Sequence, residues 1–295
     1  MKKIIILILF SLLFTQIQKD SVNKVPNVDF SKGFNVTGII PEKIPYMAHE
    51  VFLFPEEIEA IKQKAKSFIP SSVTKNDVVV LETNRGIMKL KLFPEIAPKH
   101  CLNFKKLANS GFYDGTAFHR IIPGFMIQGG DINSRDNDPE NDGQGGPGWT
   151  VDSEFNDIKH KRGVLSMARS RNPNSAGSQF FICVADSPHL DGKYTAFGEV
   201  IENFHVIDHI VNTPTNYIQA KRMSRKVIPN GEDPNDWITF RDTKTGERLY
   251  SKIPQYKKKA DYEYEMRKKI NSDRPSLPLT IEKIRVEKID LLNNE

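Results

Sequence analysis

Cysteine is nearly absent from this 295-residue chain, which contains two, Cys101 and Cys183. Two residues so far apart cannot make the disulfide framework of a small secreted scaffold, and both are expected as free, buried thiols. The common signatures of hydrolytic, metal and phosphate chemistry are missing too. There is no G-x-S-x-G elbow, no H-E-x-x-H helix and no P-loop. In "HVIDH", His205 and His209 have the spacing of helical metal ligands, but Asp208 stands in place of a glutamate and no third ligand accompanies them. Solvated surface histidines are the better reading. "DNDPENDGQGG" is acidic, yet no register of it supplies the alternate ligands, central glycine and closing glutamate of a calcium loop. No metal and no cofactor is therefore expected.

Long apolar runs are also lacking, with one exception. Lys2 and Lys3 precede Ile4 to Phe14, an apolar stretch broken only by Ser11. As a helix it would cover about 16 Å, short of the roughly 30 Å of a bilayer's hydrocarbon core. A basic start followed by a short apolar run reads as a signal peptide over residues 1–19, or as an anchor through residues 4–14, and hence as an exported protein. Asn35-Val36-Thr37 would be a glycosylation sequon in a glycosylating host.

The composition, 38% hydrophobic and 27% charged, is that of an ordinary globular protein. The net charge of +5 is not evenly spread. Residues 216–272 carry 14 Lys and Arg against 8 Asp and Glu, so one segment holds the whole excess. Its charges are mixed, which argues for a solvated insertion that could meet an acidic partner and against nucleic-acid binding. A monomer is expected.

Residues 20–75 read as an extension with one short helix. In "FPEEIEAIKQKAKSFIP", Pro55 suits a first helical position, Glu56 and Glu57 the positive end of the dipole, and Lys64 and Lys66 the other end. From Val78 the apolar period becomes two. "VVVLETNRGIMKLKLF" predicts two strands turning at Asn84-Arg85-Gly86. "APKHCLNFKKLANSG" returns to helical spacing, with Ala97, Cys101, Phe104 and Ala108 on one face and Gly111 ending it. Short apolar runs follow between Gly, Asn, Asp and Pro clusters, the rhythm of a β-sandwich or barrel. The basic segment contains a hairpin turning at Thr245-Gly246 and a helix with Tyr262, Met266 and Ile270 in one row. That hairpin and row look too small to stand alone, so packing on the barrel or on the helix at Pro55 is expected.

One stretch is odd. "FHRIIPGFMIQGGD" sets Arg120 among apolar residues with no carboxylate motif beside it. Read with "SMARSRNPNSAGSQFF" and "HLDGKYTAFG", it resembles the cyclophilin-type peptidyl-prolyl cis-trans isomerases. The resemblance runs from Val78 to Val211 and resumes at "RPSLPLTIEKIRV". It implies a mainly β fold, a closed eight-stranded antiparallel barrel capped by two α-helices, over residues 76–290 with the basic insertion at 216–271. It implies Arg120 as the catalytic residue and a proline pocket of Phe125, Met126, Phe181 and Leu190. Polar contacts to the substrate backbone would come from Gln128, Gln179 and the main chain around Ala168 and Arg169. His189 stands where many members carry Trp at a position that contributes to cyclosporin binding, and Tyr194 where many have His. The implied partner is a proline-containing segment of an unfolded or flexible chain. A non-catalytic proline-peptide binding module is the alternative.

Overall fold

The computed structural model describes residues 54–136 and 138–288. The expected leader and the sequon lie outside the described residues. Among the described residues, no helix is long and apolar enough to cross a membrane.

Helix α1 (Pro55–Ser67) forms where expected. Glu57 Oε2 accepts from the Phe54 N–H at 2.9 Å, satisfying a donor that a helix start leaves orphaned. At the far end Lys106 Nζ reaches the carbonyls of Lys66 and Phe68, at 2.8 and 2.6 Å. Ala65 is buried, and Ile58 and Ile61 pack on the main core.

Strands β1 (Asp77–Thr83) and β2 (Gly86–Leu92) pair through the predicted turn. Gly86 has φ +128, and a Cβ there would stand 2.9 Å from Val206, so the turn needs glycine twice over. Helix α2 (Pro98–Ser110) buries Cys101, Phe104 and Ala108 and stops at Gly111, whose φ of 82 is left-handed. The remaining strands of the large sheet are β3 (Arg120–Ile122), β4 (Met126–Gly129), β5 (Val164–Met167), β6 (Phe180–Cys183) and β7 (Ala196–Glu202). Helix α3 (His205–Val211) follows, and the last strand comes after the insertion.

That insertion builds a core of its own. Helix α4 (Asn216–Arg222), hairpin β8 (Trp237–Arg241) and β9 (Arg248–Lys252), and helix α5 (Lys259–Lys269) enclose Ala220, Ile238, Phe240, Leu249, Tyr262, Met266 and Ile270. This corrects the expectation that the Tyr262/Met266/Ile270 row packs on the barrel or on α1. The hairpin's inward faces supply the partner instead. Entry and exit lie side by side, with the Asn216 N–H donating to the Arg274 carbonyl and the Tyr217 N–H to that of Ser272, at 2.9 and 3.0 Å. The final strand, β10 (Ile281–Lys288), pairs with β1.

The eight strands form one antiparallel ladder in the order β10-β1-β2-β7-β5-β6-β4-β3. It curls around a core in which Phe104, Tyr113, Phe180 and Phe197 meet with ring centroids 5.3 to 5.6 Å apart. The expected closed barrel is corrected here, because β3 and β10 do not pair. The chain ahead of each is stitched to the other by an isolated Ala117–Thr280 bridge and by hydrogen bonds Phe118 N–H to Leu279 O and Ile281 N–H to Thr116 O. Pro275 and Pro278 have no N–H to give, so this stretch cannot sustain a ladder. Both cysteines are buried thiols, and burial pushes each up to about 12.

Candidate active site

Three neighbouring strands carry four of the candidate residues, Arg120, Met126, Gln128 and Phe181. In register, Arg120 on β3 lies opposite Gln128 on β4, which lies opposite Phe181 on β6. Alternation along a strand sends Met126 and Gln128 to one face, so the same ladder supplies an apolar floor and a polar rim. Met126, Phe181, Cys183 and Leu190 make a small apolar cluster separate from the main core, with Phe125, Ala168 and Tyr194 packed against it.

Above this cluster is a pocket of about 250 Å3, bordered by nine of the residues that the sequence proposes: Arg120, Phe125, Met126, Gln128, Ala168, Arg169, Phe181, Leu190 and Tyr194. The other two stand beside it. His189 tilts against Phe125 with ring centroids 5.2 Å apart. Gln179 joins through a polar chain. Its Nε2 donates to the carbonyls of Gly143 and Gly145, at 3.0 and 2.9 Å. Its Oε1 therefore accepts from Gln128 Nε2 at 3.0 Å, which turns Gln128 Oε1 toward Arg120 Nη1 at 3.4 Å. A guanidinium has only donors, so this relay fixes both amides in one orientation. The Ala168 N–H is taken by the Gln179 carbonyl at 2.9 Å. The Arg169 guanidinium lies 4.5 Å from the centroid of the Tyr194 ring and donates to the carbonyl of Lys193.

Two contacts escaped the sequence reading. One is Asp273, whose Oδ2 stands 3.7 Å from Arg120 Nε. The other lies behind Phe181, on which the His160 ring stacks at 6.2 Å. His160 Nδ1 faces Asp191 Oδ1 at 3.1 Å and Nε2 faces Ser166 Oγ at 2.9 Å. Burial pulls the imidazole below its usual range, against the opposing pull of Asp191. The Ser166 hydroxyl lies between His160 Nε2 and the Thr195 carbonyl, to which it donates at 3.0 Å. The arrangement mimics a nucleophilic triad, but Ser166 is fully buried and no substrate can reach it. It braces the wall of the pocket. Neither contact has a local signature, because each joins segments far apart in sequence.

The model of the cyclophilin type peptidyl-prolyl cis-trans isomerase/CLD family matches residues 78–230. Over 188 residues the chain is 40% identical to a peptidyl-prolyl cis-trans isomerase-like 2 of Gibberella zeae, a match that spans 62% of this chain and only 29% of that longer protein. A peptidyl-prolyl cis-trans isomerase of Synechococcus elongatus is 49% identical over 120 residues, which is 41% of this chain and 77% of the relative. One from Arabidopsis thaliana is 49% identical over 142 residues, 46% and 84% of the two chains. The chain belongs to the cyclophilin-type peptidyl-prolyl cis-trans isomerase family.

Proposed function

We infer that this protein catalyses cis-trans isomerisation of Xaa-Pro peptide bonds. One observation carries the reading: a half-exposed guanidinium, held at its Nε edge by Asp273 and at Nη1 by Gln128, stands at the mouth of an apolar pocket. Amide rotation faces a barrier of about 18–20 kcal/mol because the nitrogen lone pair is delocalised into the carbonyl. No bond to carbon breaks, so the reaction needs neither a nucleophile nor an acid–base pair. A donor aimed at the prolyl nitrogen localises that lone pair as the bond twists. It thereby stabilises the twisted state more than either planar one. Arginine suits this because it stays charged and presents fixed donors.

The test is isomerisation of an Xaa-Pro tetrapeptide by wild type and Arg120→Ala. The substitution should lower kcat/KM at least ten- to a hundred-fold, about 1.4–3 kcal/mol of transition-state stabilisation, with the fold intact. Near-wild-type turnover by the variant would sink the arginine mechanism, and no turnover by either protein would leave a proline-peptide binding module.

The clients are proposed to be exported proteins, on the strength of the apolar run at Ile4 to Phe14 behind two lysines. N-terminal sequencing of protein from its host checks this, and an intact Met1 on soluble cytoplasmic material would refute it. An acidic partner for the insertion is proposed from Arg241 and Arg248, both exposed and directly opposed across the hairpin. Binding of an acidic peptide that is unchanged by Arg248→Glu would exclude that surface.

A further inference from the structure

A second cleft opens on the far side of Arg120. Its volume is about 780 Å3, and one wall belongs to the insertion: Tyr264 and Lys268 on α5, then the exit chain through Asp273 and Arg274. The facing wall is His119 together with Glu140 and Asp142 from the loop after β4. Arg120 and Gln128 border both this cleft and the proline pocket, so the two are continuous across the catalytic guanidinium.

Two buried polar side chains of this cleft have no hydrogen-bond partner among the described residues. His119 is 7% exposed, and neither of its ring nitrogens is bonded. The Asp142 side chain is 8% exposed, and neither of its oxygens accepts a hydrogen bond. Arg274 Nε is 3.3 Å from Oδ2 but lacks the alignment of one. Buried polar groups are normally satisfied, and unmet acceptors that border an open space call for donors from a ligand.

The charges of the cleft narrow the chemistry of that ligand. Arg120 faces Asp273, Lys268 faces Glu140 at 2.6 Å, Lys269 faces Glu265 at 2.7 Å, and Arg274 faces Asp142. Four cations thus meet four carboxylates. A neutral cleft gives no driving force for a polyanion, and unmet carboxylate oxygens repel one. An extended polypeptide fits better, since every residue except proline brings a backbone N–H. Tyr264, 63% exposed, offers an aromatic face for a side chain.

We propose that this cleft is a substrate subsite. It takes the extended backbone of the client on one side of the target proline, with amide N–H groups directed at Asp142 and a side chain laid against Tyr264. The insertion would then select clients by the residues that flank Xaa-Pro. This rests on the isomerase reading, because the cleft meets the reaction only through Arg120. Three or four extended residues reach about 10–14 Å, so a short test peptide engages little of it.

The experiment uses the full chain and three fluorescent peptides that share one Xaa-Pro tetrapeptide core. One is unextended, one carries four polar residues before the core, and one carries four after it. Both kcat/KM and binding by anisotropy are measured. One of the two extensions should raise kcat/KM by about five-fold or more through a lower KM. That gain, and no gain from the other extension, should shrink toward unity in Tyr264→Ala and Asp142→Asn. Tyr264 is exposed, so its variant keeps the test sound if Asp142→Asn fails to fold. Turnover without any extension preference, or a preference untouched by Tyr264→Ala, overturns the subsite. Cleft-dependent binding of the extended peptide with no turnover of any peptide would overturn the isomerase reading and leave the subsite standing.

Discussion

Asp273 is tied to Arg120 twice. Its carboxylate stands 3.7 Å from the guanidinium Nε, and its main-chain carbonyl accepts the N–H of Ile121, the next residue on the arginine's strand, at 3.0 Å. Lys244 holds the other carboxylate oxygen from within the insertion. With the Nε edge engaged, Arg120 turns an Nη toward Gln128 and the pocket. The insertion therefore helps to aim the guanidinium proposed above to act on the prolyl bond.

Asp273→Ala should lower kcat for a tetrapeptide about two- to five-fold with a smaller change in KM. The half-exposed pair is worth roughly 0.2–1 kcal/mol. Asp273→Glu should recover part of the loss, and the difference between wild type and Asp273→Ala should narrow in high salt. A rise in kcat would mean that Asp273 restrains Arg120 instead of aiming it.

The insertion hangs on Asp242, which is fully buried. Burial alone would push its carboxyl up. Lys221 Nζ at 2.9 Å, the Lys244 N–H at 2.9 Å and Tyr217 OH at 3.1 Å outweigh that and hold it well below the carboxylate range. Asp242→Ala should destabilise the insertion by about 1–3 kcal/mol, because the Tyr217 hydroxyl and the Lys244 N–H lose their buried acceptor while Lys221 keeps Glu247. The separate core predicts that amide exchange quickens in β8, β9 and α5 while β1 and β2 keep their protection. Equal acceleration in both would show that they unfold as one.

Three buried histidines give the pH dependence a sign. Burial pulls His100, His119 and His160 below their ordinary value, although Glu154, Asp131 and Asp191 respectively pull the other way. The unfolded chain then takes up protons first as the solution is acidified. Their stabilisation is complete above about pH 6.5 and is lost as the pH falls from there through the lowered folded values. Asp142 works in reverse. Burial raises it from 3.8 to about 6, so its penalty is full above 6 and is relieved as the pH falls between those values. Urea midpoints should therefore decline from pH 7 to 5, and more steeply in Asp142→Asn. A flat profile would contradict this assignment.

The candidate site was named from the family resemblance, and part of it falls on strands whose register the sequence alone suggests. Met126 and Gln128 differ by two on one strand, and alternation alone puts them on one face. The α2 face was equally plain, since Ala97, Cys101, Phe104 and Ala108 all reach the core. What escaped depends on tertiary context. The seven residues of α4 are too few for a periodic signal, and the helix is held by burying Ala220 in the small core. The row on α5 shares its core with Ile238 and Leu249 of the hairpin, which helical spacing alone does not reveal. Asp273 meets Arg120 only because the chain doubles back along β3.

His189 leans on Phe125 at the rim of the pocket, at the position where the family resemblance implies Trp in many members. A larger indole there should add apolar contact to a bulky cyclic ligand. His189→Trp is expected to tighten cyclosporin binding by about 1–2 kcal/mol by calorimetry. No change would free this position of that role.

The seam between the two ends of the curled sheet bears on how the molecule behaves in a crowd. An unpaired sheet edge is a template on which strands of other molecules can add. Here β3 is only three residues long, and its Ile121 N–H already donates to Asp273. The neighbouring stretch holds Pro275 and Pro278, which have no donor to offer an incoming strand. The same prolines that keep the barrel from zipping shut leave little of that edge for self-association to exploit.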